Sequence, residues 1–384
     1  MSSRFTLGVE EEFQMVDRDT GQLVSHVHTV LDKGSAVFGE LIKAEMLQSM
    51  VEIITGVCAD IHALRQDLST KRMQLATILA NEGLAMISSG THPVAHWRDQ
   101  RRTVNERYKE IEEEFQDVGR SILICGLHVH VGIDTHEIAI PLMNQLRTWI
   151  PHLLALSSNS PFWINYNTGL KSYRSIVWKR FPRSGIPPTF TSSMEFDCYV
   201  SDLMRNNCID NAKKIWWDIR PHPFFDTLEF RVCDMPVTFE DTMAIAALCQ
   251  ALVCKLTFLL EQNMNTLVLP THYIEENKWK AARYGLDAVI VDFPHHRSLT
   301  LRDSLHETLD FVEDVVDELG IRREMNYLRI LLTSSQGTGA DQQIAVYNET
   351  QNIQAVIRYL MECTMQSIQT NSVISTAGKP TTKL

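Results

Sequence analysis

Apolar residues recur along the chain with two periods, and the change from one to the other marks the elements. A helical rhythm of about 3.6 residues runs through 60–88, where Ile61, Leu64, Leu68, Leu75, Ile78 and Leu79 form one stripe. The same rhythm predicts helices over 103–119, 141–158, 193–206, 238–263, 302–318 and 344–369. In the first of these, Thr103 and Glu106 have the spacing of a capping box. Strict alternation predicts strands over 5–14, 121–133, 214–220 and 226–234, with shorter ones at 50–55 and 84–89. Only P-H-P-F-F joins 214–220 to 226–234, which implies a hairpin. Long helices do not separate the strands at the interval a βαβ unit needs. The pattern therefore predicts an α+β fold with a mainly antiparallel sheet. No repeat or linker divides the chain, so a single domain over 1–370 is expected, its C-terminal third mostly helical, followed by a flexible tail at 371–384.

The polar halves of the alternating strands are unusual. In L-G-V-E-E-E-F-Q, Glu10, Glu12 and Gln14 share one face, while Glu11 points the other way with Leu7, Val9 and Phe13. In G-L-H-V-H-V-G, His128 and His130 oppose Leu127, Val129 and Val131. In D-T-L-E-F-R-V-C, Thr227, Glu229 and Arg231 oppose Leu228, Phe230 and Val232; in W-W-D-I-R-P, Asp218 and Arg220 oppose Trp217 and Ile219. A half-wet antiparallel sheet also alternates, but its outer face is usually a mixture of Thr, Ser, Lys and Glu. Glu-x-Glu, His-x-His and Glu-x-Arg instead supply hard-cation ligands and phosphate-holding cations. If these faces converge, repulsion among Glu10, Glu12 and Glu229 needs compensation, and a divalent metal supplies it. Glu45 and Glu52 flank an apolar stretch nearby, with Glu52 embedded in V-E-I-I. Oxygen-rich ligation points to Mg²⁺ or Mn²⁺ rather than zinc. Mg²⁺ in turn suggests a nucleotide, yet neither G-x-x-x-x-G-K-[ST] nor G-x-G-x-x-G after a strand is present.

The formal net charge of -11 argues against a nucleic-acid-binding surface. The eight cysteines form no C-x-x-C pair, as expected of reduced thiols in a cytoplasmic protein. Neither a signal peptide nor a run of about 18 apolar residues is apparent, so no membrane partner is expected.

With these residues in view, the chain resembles the glutamate–cysteine ligase type 2 family, the carboxylate–amine ligases, over roughly 5–365. The motifs are T-L-G-V-E-E-E-F, V-E-I-I-T, G-T-H-P at 90–93, N-E-R-Y at 105–108, G-L-H-V-H-V-G and S-S-N-S-P-F at 157–162. They continue with W-D-I-R-P at 217–221, T-L-E-F-R-V-C-D at 227–234 and A-A-R-Y-G at 281–285. The resemblance implies a glutamine synthetase-like fold, a funnel-like antiparallel sheet of about six strands with helices outside. It also implies a single catalytic domain that uses ATP to phosphorylate a glutamate-type carboxylate and joins it to an amine. By motif match it implies Glu10, Glu12, Glu45, Glu52, His130 and Glu229 as metal ligands and Arg231 on the γ-phosphate, with Glu52, Glu229 and Arg231 essential for catalysis. A homodimer is implied as well.

Other positions are expected at the substrate: Arg174 in L-K-S-Y-R-S, His92 in G-T-H-P, His128 beside His130, and Arg283 with Tyr284. The basic residues Lys179, Arg180 and Arg183 read equally as anion binders or as a solvated loop. An alternative reaction on the same fold is metal-dependent amide hydrolysis, in which the carboxylates and His130 activate water without a nucleotide.

Overall fold

In a computed structural model the chain is described from Arg4 to Ala377, with side chains through Ile368. The central sheet has seven strands: β1 (Leu7–Asp17), β2 (Ile42–Ala44), β3 (Met50–Ile54), β4 (Leu84–Ile87), β5 (Gly126–Gly132), β6 (Ile219–Pro221) and β7 (Thr227–Asp234). Their order is β6-β7-β5-β1-β3-β2, with β4 also on β1, and every pairing is antiparallel. The expected α+β class and antiparallel sheet are therefore present, including the hairpin between β6 and β7.

The odd-numbered face of β1 packs inward. Leu7, Val9 and Phe13 are fully buried in the main core with Val129 and Val131 of β5. Beneath them lies the helix Phe239–Glu261, started by a capping box in which Thr238 and Asp241 satisfy each other's backbone N–H groups. Among the described residues it is the one helix long and apolar enough to cross a bilayer, but it is mostly buried within the protein as a core helix.

Several boundaries differ from the rhythm, each for a local reason. The helix expected over 60–88 follows one at Val27–Phe38 and runs Ile61–Asn81, capped by Asp60, with Ile61, Leu64, Leu68, Leu75 and Leu79 buried. It stops short of 88 because Gly83 adopts φ 71° and Leu84–Ile87 joins the sheet as β4. Thr103 is not a cap: its hydroxyl donates to the Glu45 carbonyl, and Asn105 caps the helix Glu106–Phe115. The helical stretch at 141–158 is interrupted by a turn at Arg147–Trp149, and that at 344–369 by the left-handed Gln351. The strand expected over 214–220 breaks at Asp218. Its first part, Trp216–Trp217, pairs in parallel with Ser184–Gly185, and its second becomes β6. Short alternation hid β2 and the hairpin Val289–Asp292 and Arg297–Thr300. The C-terminal helix Ile353–Ala377 extends through 371–377 of the expected tail; 378–384 lie outside the described residues.

Candidate active site

The acidic triplet of β1 divides between the two sides of the sheet. Glu10 lies opposite His128 of β5, and Glu12 lies opposite Glu52 of β3. Glu11 faces the core, fully buried against Arg72. Glu45 follows β2, whose end is pinned by the Tyr108 hydroxyl donating to the Ala44 carbonyl at 2.8 Å. These four outward carboxylates, with His128, Glu229 and Arg231, line one cavity of about 370 Å³.

The contacts define two electrostatic halves. On the β7 side, Glu229 is clamped by Arg220, whose Nε and Nη2 donate to its two oxygens at 2.7 and 3.2 Å, and by Arg231 through Nη1. Burial alone would raise the Glu229 pKa, but Arg220 and Arg231 hold it well below the usual carboxylate range. On the β1–β3 side Glu45 and Glu52 lack such partners. Burial, reinforced by Glu10, Glu45 and Glu12, pushes Glu52 well above its ordinary value. Burial and the charge of Glu12 push Glu45 up to about 8. Two like charges directly across a ladder are destabilising, so without a cation this half keeps protons on Glu45 and Glu52, a surplus of acidic groups over basic partners.

That surplus fits a divalent cation. Ligand atoms of Glu10, His128 and Glu229 lie within 4.8 Å of one another, and so do those of Glu12, Glu52 and His128. Oxygen donors with one imidazole suit Mg²⁺ or Mn²⁺. His128 Nδ1 sits 2.9 Å from Glu10 Oε2, and burial together with the Arg231 charge lowers its pKa. A neutral His128 that donates from Nδ1 to Glu10 leaves Nε2 with a free lone pair. Burial would raise Glu10, yet hydrogen bonds from His128 and His130 keep it well below the carboxylate range.

The two histidines differ in their placement. His128, expected at the substrate, belongs to both groups of potential ligands. His130, expected as a ligand, belongs to neither: its Nε2 is 3.4 Å from Glu10 Oε1, its Nδ1 faces the Thr227 hydroxyl, and its ring abuts His222 edge-on. Arg174 lines the cavity. His92 does not. It is fully buried in a turn, with Nε2 on the Gly21 carbonyl at 3.0 Å and Nδ1 accepting from the Ala95 amide at 3.1 Å. Arg283 stacks on the half-exposed Tyr284 at the end of the helix Thr271–Tyr284, outside the cavity, while in the same motif the Ala282 carbonyl accepts from the Lys171 and Ser172 amides. Lys179, Arg180 and Arg183 likewise turn to Glu275, the Val177 carbonyl and the Lys214 carbonyl. Asp218 is held by Lys278 at 2.6 Å and leaves Arg220 alone to face the site.

Sequence reasoning gave no task to several residues that line the cavity. Arg107 and Tyr108 come from N-E-R-Y, His222 and Phe225 from P-H-P-F-F, and Trp178 offers its ring to Arg231 at 5.9 Å. The motif positions were visible, but nothing local in them says which side chains turn inward.

The fold is shared with solved ligases. A glutamate–cysteine ligase from Francisella tularensis, solved in complex with AMP, matches with a TM-score of 0.65 at 13% identity, covering 98% of this chain and 95% of that one. A bifunctional glutathione synthetase from Pasteurella multocida matches with a TM-score of 0.69 at 14% identity, covering 96% of this chain and 53% of that one. The architecture is thus that of a class of glutamate–cysteine ligase-type folds. Sequence narrows the class: residues 6–359 match glutamate-cysteine ligase family 2. A Solibacter usitatus relative, provisionally named glutamate–cysteine ligase 2, is 48% identical over 93% of this chain and 92% of its own. One from Roseiflexus castenholzii, named likewise, is 47% identical over 95% and 96%. This chain belongs to glutamate-cysteine ligase family 2, a family of ligases.

Proposed function

We propose that the protein is an ATP-dependent carboxylate–amine ligase. In this reading the γ-phosphoryl group of ATP passes to a glutamate-type carboxylate. An amine then attacks the resulting acyl phosphate, forming an amide and releasing ADP and phosphate. The observation that carries the reading is a single cavity joining the carboxylates of β1 and β3 to the arginine-clamped end of β7. Family membership and the AMP held by the Francisella tularensis ligase support it.

Each part of the cavity has a task. Glu10, Glu12, Glu45, Glu52, His128 and Glu229 would hold Mg²⁺ or Mn²⁺; bound there, the cation offsets the charge of phosphate oxygens. Arg231, kept aimed by Glu229, presents donors to the transferring phosphoryl group. Arg220 fixes Glu229 bidentately and so orients Arg231. The apolar wall around Trp178 limits water, which would otherwise hydrolyse an acyl phosphate. His130 stands behind Glu10 as its second imidazole partner. A cytoplasmic location and a homodimer belong to the same reading, and sedimentation tests the latter.

The experiment is ADP release from protein, Mg²⁺, ATP, glutamate and a panel of amines that includes cysteine. Amine-dependent ADP formation is expected with at least one amine. Its absence with every amine, together with nucleotide-free cleavage of amides, would replace the ligase by a metal-dependent amide hydrolase.

A further inference from the structure

Several motifs stand apart from the reacting side of the site: G-T-H-P, S-S-N-S-P-F, L-K-S-Y-R-S and the last residue of T-L-E-F-R-V-C-D. They meet at one buried carboxylate. Asp234 Oδ2 accepts from the Asn159 amide at 3.0 Å and the Ser160 hydroxyl at 2.6 Å, and Oδ1 accepts from the Ser172 hydroxyl at 2.8 Å. Gly90 closes the remaining side, since a Cβ there would stand 2.9 Å from Asp234 Cγ.

Next to this knot lies Arg174, itself 4% exposed. Its amide donates to the Ser160 hydroxyl at 3.0 Å. Its guanidinium occupies the volume a side chain at position 126 would fill, for a Cβ on Gly126 would collide with Nη2. Nη1 donates to the Val232 carbonyl at 3.3 Å and Nη2 to the Arg231 carbonyl at 3.4 Å.

Those carbonyls belong to a bulge. Phe230 pairs with Val129 but Cys233 with Leu127, so β7 carries one residue too many against β5. A bulge leaves backbone groups without ladder partners, and buried orphans are costly. On the opposite edge, the Arg231 amide donates to the Asp218 carbonyl at 2.7 Å.

We infer that Arg174 is a positioning residue, seated by the Asp234 knot and admitted by Gly126, whose guanidinium grips both bulge carbonyls and so aims Arg231 into the cavity. The role rests on the ligase reading for its rate assay. It differs from that of a substrate contact, because the guanidinium spends its paired donors on the backbone that carries Arg231. Lysine carries its donors on one nitrogen of a flexible stem in place of a rigid fork, so it does not reproduce the spacing at which Nη1 and Nη2 meet the two carbonyls.

The test compares Arg174→Ala, Arg174→Lys and Gly126→Ala with the parent in steady-state ADP release, with amide hydrogen exchange at Arg231 as a second readout. All three variants should lower kcat about 10²-fold while KM for the carboxylate stays within about threefold. Added guanidinium should restore part of the rate to Arg174→Ala and none to Gly126→Ala, where the space is filled. A rise in carboxylate KM at unchanged kcat, or parental rates in the variants, would overturn the role. Should Arg174→Ala fail to fold, Gly126→Ala and Arg174→Lys decide by the same criteria. If the parent itself releases no ADP, the ligase reading has failed, and exchange alone decides. Faster Arg231 exchange in Arg174→Lys and Gly126→Ala upholds the grip; unchanged exchange in both overturns it.

Discussion

Glu11 and Arg72 form an ion pair with neither side chain exposed, Arg72 Nε donating to Glu11 Oε2 at 2.7 Å and the Thr242 hydroxyl donating to Glu11 Oε1 at 2.8 Å. The pair lies on the core side of β1 and locks its register from within. Because the strand repeats every two residues, a slip of one would carry Glu10 and Glu12 into the core and Glu11 into the cavity.

Breaking this pair from one side leaves a buried charge uncompensated. Arg72→Met or Glu11→Gln should each destabilise the protein by about 3–5 kcal/mol, read from urea unfolding. The double replacement should cost clearly less than the sum of the two. Strict additivity would show that the pair is not coupled.

Glu52 presents the opposite case, a carboxylate opposed by another carboxylate, Glu12. Glu52→Gln removes that repulsion, so without metal the variant should melt no lower than the parent. With Mg²⁺ the parent should gain stability in proportion to the logarithm of metal concentration, and the variant should not. Activity should fall with the lost response, the stability–activity exchange expected of a site residue. A variant that keeps its Mg²⁺ shift in thermal melts would remove Glu52 from the ligand set.

Arg231 is predicted to act on the reaction more than on the fold, because Arg220 still clamps Glu229 when it is removed. Arg231→Ala should lower kcat by about 10³-fold or more, with a smaller loss of stability than Arg72→Met, whose Glu11 keeps no second cation. Retention of more than a tenth of the parental kcat would exclude the residue from phosphoryl transfer.

Acid should weaken the protein through two histidines away from the cavity. Burial lowers both His92 and His152 to about 4, from an ordinary 6.5. The unfolded chain therefore binds protons in this interval that the folded chain does not. Stability from these groups is complete above pH ~6.5 and is lost as pH falls toward ~4, a loss of roughly 3 kcal/mol for each histidine. Imidazole proton resonances that titrate near 6.5 in the folded protein would refute this.

The sequence made one layer of the site legible and hid the next. Period-two alternation placed Glu10, Glu12, His128, Glu229 and Arg231 toward a common space, and the sheet brings them together. It could not separate His128 from His130, which share a face and differ only in depth. It left Glu11 without a partner, because Arg72 comes from a helix far along the chain, where it reads as one more surface cation. The bulge did leave a trace: in F-R-V-C-D the alternation fails between Val232 and Cys233, both buried. His92, Arg283 and Tyr284 lie outside the cavity, a placement that a motif read along the chain does not reveal.

The position of β1 also sets an order of assembly. It precedes its partners in the chain, yet its edges are taken by β3, β4 and β5, and β7 then packs beyond β5. During translation the acidic strand must wait for residues 126–132 before one edge is paired along Leu7–Glu11, and for 227–234 before Glu229 and Arg231 arrive. The nascent chain thus carries an incomplete, self-repelling cluster until β7 has been made. Shortened chains ending before β7 are expected to hold Glu10, Glu12, Glu45 and Glu52 without Glu229 and Arg231, and to be inert.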